Sequence, residues 1–173
     1  MLGRGSRYID ADRRCLAWIY AMEDALMTFE LRDYQKDAID GLYNYWAGKA
    51  GDNPLIVAPT GSGKTAIIAQ LIKDAMGFQG TRVLVVTHVK ELLEQGADGL
   101  LKLYPEADFG LYSAGLKQKV LGRPITFAGI QSIWERAYEI VPAPDLVLID
   151  EAHLLPKNTE TRYNRFIADL KVC

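Results

Sequence analysis

From residue 31 onward the chain switches repeatedly between two hydrophobic rhythms. Residues 33–46 space Tyr34, Ala38, Leu42, Tyr45 and Trp46 near the 3.6-residue period of a helix with one buried face. A loop over 48–54 leads to Leu55-Ile56-Val57-Ala58, a continuous apolar run that reads as a short buried strand. Residues 64–76 read as a helix, Val83-Leu84-Val85-Val86 as a second buried strand, and residues 89–103 as a further helix. Ile125-Thr126-Phe127-Ala128 is a third strand, followed by a helix over 131–140, and Leu146-Val147-Leu148-Ile149 is a fourth. Tyr163, Phe166, Ile167 and Leu170 stand at i, i+3, i+4 and i+7, one apolar stripe on a last helix. Buried strands separated by helices predict an α/β fold, a mainly parallel sheet flanked by helices on both faces.

Residues 1–27 have another texture. Arg4, Arg7, Arg13 and Arg14 lie among Gly3, Gly5 and Ser6, and Trp18, Ile19, Met22, Leu26 and Met27 then suggest one helical face. This reads as an N-terminal extension, partly disordered with a short helix, and Met27 is itself a candidate start. A basic arm touching nucleic acid is the functional alternative.

Composition narrows the class. With 173 residues and 49% hydrophobic content, one domain with a real core is expected. Twenty basic against 22 acidic residues, a net charge of −2, argue against a polybasic binder that works by bulk phosphate neutralisation. Cys15 and Cys173 lie near opposite ends and suggest no disulfide framework or metal cluster. No apolar run approaches the roughly 20 residues needed to span a bilayer. A cytoplasmic protein without membrane contact is expected.

The chemistry concentrates in two places. Ala58-Pro59-Thr60-Gly61-Ser62-Gly63-Lys64-Thr65 lies where a strand turns into a helix, the setting a phosphate-binding P-loop requires. Gly61 and Gly63 permit backbone conformations that let N–H groups curl around an anion. The helix that follows directs its positive end at the same phosphates. Lys64 would neutralise the β- and γ-phosphates, and the Thr65 hydroxyl would bind Mg²⁺. Ala58 stands where the general pattern has Gly. The second place is Asp150-Glu151-Ala152-His153, delivered by the fourth strand to its C-terminal edge, where open α/β sheets bind ligands. Asp150 would hold Mg²⁺, and Glu151 would act as general base toward the attacking water. His153 is either a cap-filling polar residue or one that couples two sites.

Together these segments resemble the first RecA-like ATP-binding domain of superfamily 2 helicases of the DEAD/DEAH-box type, Asp150 to His153 reading literally as a DEAH box. The resemblance covers roughly residues 29–173, and Ala at position 58 is common in such families. It is closer to restriction-subunit and phage helicases than to RNA-processing DEAD proteins, which favours DNA over RNA as partner. The resemblance implies ATP and Mg²⁺ as cofactors and His153 as a coupling residue. By position, Leu31-Arg32-Asp33-Tyr34-Gln35 is similar to the adenine-reading segment, with Gln35 presenting its amide to the base and Arg32 packing nearby. Thr87-His88-Val89-Lys90-Glu91-Leu92 resembles a strand-end motif that receives a nucleic-acid phosphate, with Lys90 where Arg is commoner. Thr126-Phe127-Ala128-Gly129-Ile130-Gln131-Ser132 resembles the next. Thr87, His88, Lys90, Gly129 and Gln131 are thus nucleic-acid candidates.

Helicases of this kind continue with a Ser-Ala-Thr-like segment and a second RecA-like domain bearing an arginine finger, neither of which is found after Asp150. The chain therefore reads as a truncated first motor domain that binds ATP and hydrolyses it weakly alone. The alternatives are a nucleotide-binding module without motor activity and the motor part of a restriction or remodelling assembly. In RecA-like sheets a further strand inserts between those carrying the two motifs. Residues 55–58 and 146–149 are thus expected either to stay unpaired with each other or to be forced together.

Overall fold

The computed structural model describes residues 30–49, 53–154 and 161–172. The reading of residues 1–27 as an extension lies outside them. By backbone contacts the chain divides at residue 30, and the unit from Leu31 onward carries everything that follows.

Among the described residues five strands form one sheet: β1 (Val83–Thr87), β2 (Phe109–Ser113), β3 (Gln118–Lys119), β4 (Ile125–Gly129) and β5 (Leu146–Ile149), in the order β3-β2-β4-β1-β5. Every pairing is parallel except the short β2–β3 hairpin. The helices are α1 (Asp33–Gly48), α2 (Lys64–Met76), α3 (Lys90–Leu103), α4 (Ile130–Ile133) and α5 (Arg162–Val172), with 3₁₀ turns at Ala137–Glu139 and Ala152–Leu154.

Side chains alternate across a strand, so each strand feeds two cores. Val83, Val85, Ile125 and Phe127 point to one face and meet Ala69 and Ile72 of α2 and Leu93, Ala97 and Leu100 of α3. Leu84, Val86, Tyr112 and Ala128 point to the other and meet Ile130 and Ile133 of α4 with Tyr163, Phe166 and Leu170 of α5. With both faces covered, all five residues of β1 are buried, the physical reason the run Val83–Val86 is apolar without a gap. A third cluster joins Ile39 and Leu42 of α1 to Ile67 and Leu71 of α2.

Four expectations need correction. Residues 55–58 form no strand: they run without a sheet partner, Leu55 and Val57 are 67% and 86% exposed, and Ile56 packs onto the α1–α2 cluster beside Leu148. Of the two arrangements expected for 55–58 and 146–149, the unpaired one is found, and β5 pairs with β1 alone among the described residues. The helix expected over 131–140 is instead the single turn α4 followed by a 3₁₀ turn. On α1 the buried face is Gln35, Ile39 and Leu42, while Tyr34 faces outward at 45% exposure. Finally, β2 and β3 arise where no strand was expected.

Candidate functional site

All the parallel strands end at the same edge of the sheet, and both chemistry-bearing segments arrive there. β5 delivers Asp150, whose backbone N–H continues the ladder to the carbonyl of Val86 at 3.0 Å. Asp150 Oδ1 then accepts the N–H of Glu151 at 2.9 Å. Glu151 adopts a φ of +56°, in the left-handed region that costs a residue with a side chain about 1–2 kcal/mol. That turn swings its carboxylate back across the edge.

The carboxylate meets Lys64. Glu151 Oε1 accepts from Lys64 Nζ at 2.8 Å, across 87 positions of sequence. Glu151 Oε2 lies 3.1 Å from His153 Nδ1, on a largely exposed imidazole. The hydrogen bond from Lys64 holds the Glu151 carboxyl below the usual carboxylate range, and the same bond holds the Lys64 ammonium above its ordinary value. Both groups are charged at neutral pH and answer each other.

The loop around Lys64 owes its shape to two glycines. Gly61 and Gly63 have φ of +78° and +76°, and Gly63 caps α2. A Cβ at Gly61 would meet only open space, so backbone there is approachable from outside. Thr60, Gly61 and Pro59 are exposed, Ala58 is half-buried, and the Ser62 hydroxyl is buried without a partner among the described residues.

Gln35 is where the structure says most beyond the sequence. It is buried, and its Nε2 donates to the Ser62 carbonyl at 2.8 Å and toward that of Gly63 at 3.4 Å. Its Oε1 accepts the Arg32 N–H at 2.9 Å. Its Nε2 thus engages the 58–65 loop, while its Oε1 closes the capping box at the start of α1. Tyr34 adds a bond from its hydroxyl to the Ser62 carbonyl at 2.8 Å, and Arg32 Nη1 donates to that hydroxyl at 3.2 Å. Nothing in the hydrophobic pattern marks Tyr34 for this role, since its neighbour Ser62 lies 28 positions away.

The nucleic-acid candidates gather at the same edge. Thr87 and Gly129 are register partners at the ends of β1 and β4. Lys90 and Gln131 are exposed at the starts of α3 and α4. The turn after β2 joins them, its Ala114 N–H donating to Ser132 Oγ at 2.9 Å. Two candidates are less available: Thr87 is only 2% exposed, and the buried His88 Nδ1 has no partner among the described residues.

Behind the edge, Tyr163 of α5 brings a buried hydroxyl that the sequence reading took for core. Burial and the nearby Asp150 charge push it up to about 12, so it remains a protonated phenol.

Comparison with known proteins agrees with this architecture. A protein named as a helicase, from Sulfolobus islandicus filamentous virus (isolate Iceland/Hveragerdi), is 28% identical over 146 residues, 77% of this chain and 25% of that protein. The solved UvsW helicase of bacteriophage T4 superposes with a TM-score of 0.63 at 20% identity, over 84% of this chain and 50% of UvsW. A nuclease-deletion mutant of the type ISP restriction-modification enzyme LlaGI, solved with a DNA substrate mimic, gives a TM-score of 0.57 at 19% identity, over 72% of this chain and 15% of that one. The chain thus spans a quarter of the viral relative and half or less of the two solved chains. These likenesses agree with the strand order in showing a RecA-like fold. With residues 28–171 matching it, the chain belongs to the family described as type III restriction enzyme, res subunit.

Proposed function

We propose that this domain binds ATP with Mg²⁺ at the 58–65 loop and hydrolyses it as the first motor domain of a nucleic-acid-dependent helicase or translocase, with DNA as the partner. The observation that carries this is the Lys64–Glu151 pair. A loop lysine and a strand-end carboxylate, brought together at 2.8 Å from positions 87 residues apart, are the two charges that phosphoryl transfer needs at one point. In this arrangement each masks the other. Phosphate oxygens arriving in the open space at Gly61 compete for Lys64 and release Glu151 to act as base on water.

The donor set suits a magnesium nucleotide. Thr65 and Asp150 border the same small cavity, and no group of three or more His, Cys, Asp or Glu gathers among the described residues. A hard cation sharing its ligands between one or two protein oxygens, water and phosphates fits that inventory. When bound it would offset charge on the phosphates. Gln35 and Tyr34 hold the loop in shape, and the same segment, Gln35 with Arg32 packing nearby, reads the adenine. His153 relays the position of Glu151 toward the strand ends. A DNA strand would lie along that edge, against Lys90, Gly129 and Gln131.

Lys64→Ala should abolish ATP binding by calorimetry while the thermal transition stays in place, because the substitution removes a half-exposed charge and no core contact. Equal affinity of mutant and wild type for ATP with Mg²⁺ would sink the proposal.

A further inference from the structure

A cavity of about 20 Å³ is bordered by Thr65 and Ile68 of α2, Val85 and Thr87 of β1, Phe127 of β4, and Asp150. That volume admits one water molecule, which needs two to four polar partners to stay. The walls offer three: the Thr65 hydroxyl, the Thr87 hydroxyl and the Asp150 carboxylate. Everything else along the walls named here is apolar. The Thr87 oxygen accepts only a long bond, 3.5 Å, from the Val89 N–H, which leaves its own proton to donate. Thr87 is 2% exposed, so its side chain faces this cavity and not a strand on the surface.

We infer that Thr87 is a positioning residue of the metal site, acting through one buried water shared with Thr65 and Asp150, and not a nucleic-acid contact. This rests on the nucleotide-magnesium reading above. Thr65 and Asp150 approach from different elements, and Asp150 Oδ1 already accepts the Glu151 N–H, which leaves its other oxygen to be placed. A water held by Thr87 fixes both oxygens relative to β1, the strand that runs between β4 and β5. Packing supports the same end: a Cβ at Gly99 of α3 would collide with Thr65 Cγ2, so the Thr65 methyl is pressed on one side and its hydroxyl is directed by what remains. The next residues after Thr87 lead into α3 and Lys90. The metal site and the strand end thus share a single backbone segment.

The test uses the full chain and a non-hydrolysable ATP analogue, titrated by calorimetry in excess EDTA and again in excess Mg²⁺. The readout is the ratio of the two affinities within each protein, which cancels any general loss of folded material. Thr87→Val, which keeps the shape and removes the hydroxyl, should leave the EDTA affinity unchanged and cut the Mg²⁺ gain by about three- to tenfold, the worth of one hydrogen bond. Thr87→Ser should retain the gain. If Thr87→Val folds poorly, Thr87→Ala measured by the same ratio replaces it. A Thr87→Val protein that gains as much from Mg²⁺ as wild type overturns the inference. So does one that keeps the gain but binds single-stranded DNA more weakly, since Thr87 would then be a strand contact. Failure of the underlying nucleotide reading looks different: wild type would show no binding in EDTA or Mg²⁺, or Lys64→Ala would match it.

Discussion

Two four-residue apolar runs, Leu55-Ile56-Val57-Ala58 and Val83-Leu84-Val85-Val86, look alike in sequence and end up in opposite circumstances. The second is fully buried, with parallel partners on both sides and a helix layer over each face. The first packs through Ile56, while Leu55 and Val57 face outward. Apolarity states a tendency toward a strand, but ladder partners decide whether one forms, and those come from distant sequence. The unpaired run is the one that leads into the 58–65 loop. Its anchors are therefore the α1–α2 cluster, the Gln35 amide and the Lys64–Glu151 pair, not a ladder.

The sharpest way to break this comparison is to put a charge in each run. Val85→Asp buries a carboxylate among β1, α2 and α3 at a cost of several kcal/mol, enough to unfold a domain of ordinary stability. Val57→Asp should change stability by no more than about 0.5 kcal/mol, since the side chain is already in solvent. Melting curves by circular dichroism decide the matter. Comparable destabilisation of the two would mean that residues 55–58 are buried in solution.

A smaller effect is expected where the loop's helix is pressed from behind. Gly99→Ala places a methyl against Thr65 and should cost about 1–3 kcal/mol by overpacking, as read from denaturant unfolding. A neutral result would show that α3 yields easily and that Thr65 is not confined from that side.

How much of this was legible beforehand depends on how local the signal is. The helices at 33–48, 64–76 and 90–103 and the strands at 83, 125 and 146 declared themselves, because period and burial agree. Strand β2 did not: Gly110 demotes a strand by propensity. Its reason is tertiary, since a Cβ there would lie 2.5 Å from the Val120 carbonyl on the neighbouring chain segment. Residues 130–140 misled because Ile130, Ile133, Ala137 and Ile140 keep helical spacing, and a short helix plus a 3₁₀ turn buries the same residues as one long helix. At the candidate site, the sequence marked Lys64, Asp150 and Glu151 through motif and position, and the structure brings two of them into contact. It could not mark Tyr34 or the commitment of Gln35, which depend on carbonyls about 28 residues away. A buried amide is tolerable only with such partners, and sequence shows the amide without them.

On the nucleotide reading, Glu151→Gln removes both the base and the competitor for Lys64. ATP affinity should rise by about two- to fivefold, the scale of a partly exposed ion pair, while phosphate release falls to background. Calorimetry and a phosphate assay measure these separately. Unchanged turnover would remove Glu151 from the chemistry, and weaker binding would mean that the pair helps to shape the loop instead of masking it.

The smallest effect is the most specific to the unpaired run. Glu151 is held below its ordinary carboxylate value, so its contribution is fully present above the unfolded value and is lost as pH falls through the lower folded one. Lys64 is held above its ordinary value, so its contribution is present below the unfolded value and is lost as pH rises through the higher folded one. The tie between the loop and β5 should therefore hold on a plateau across neutral pH and weaken at both ends. Because the pair is partly exposed, the change is at most about 1 kcal/mol and should not unfold the sheet. It should appear as local opening: faster hydrogen exchange at residues 55–63 in acid, corrected for the intrinsic rate, with residues 83–86 unmoved. Glu151→Gln should show the fast pattern already at neutral pH and lose the acid limb. If exchange at 55–63 follows that at 83–86 through the whole range, the loop opens only with the sheet, and the ion pair is not what holds the unpaired run in place.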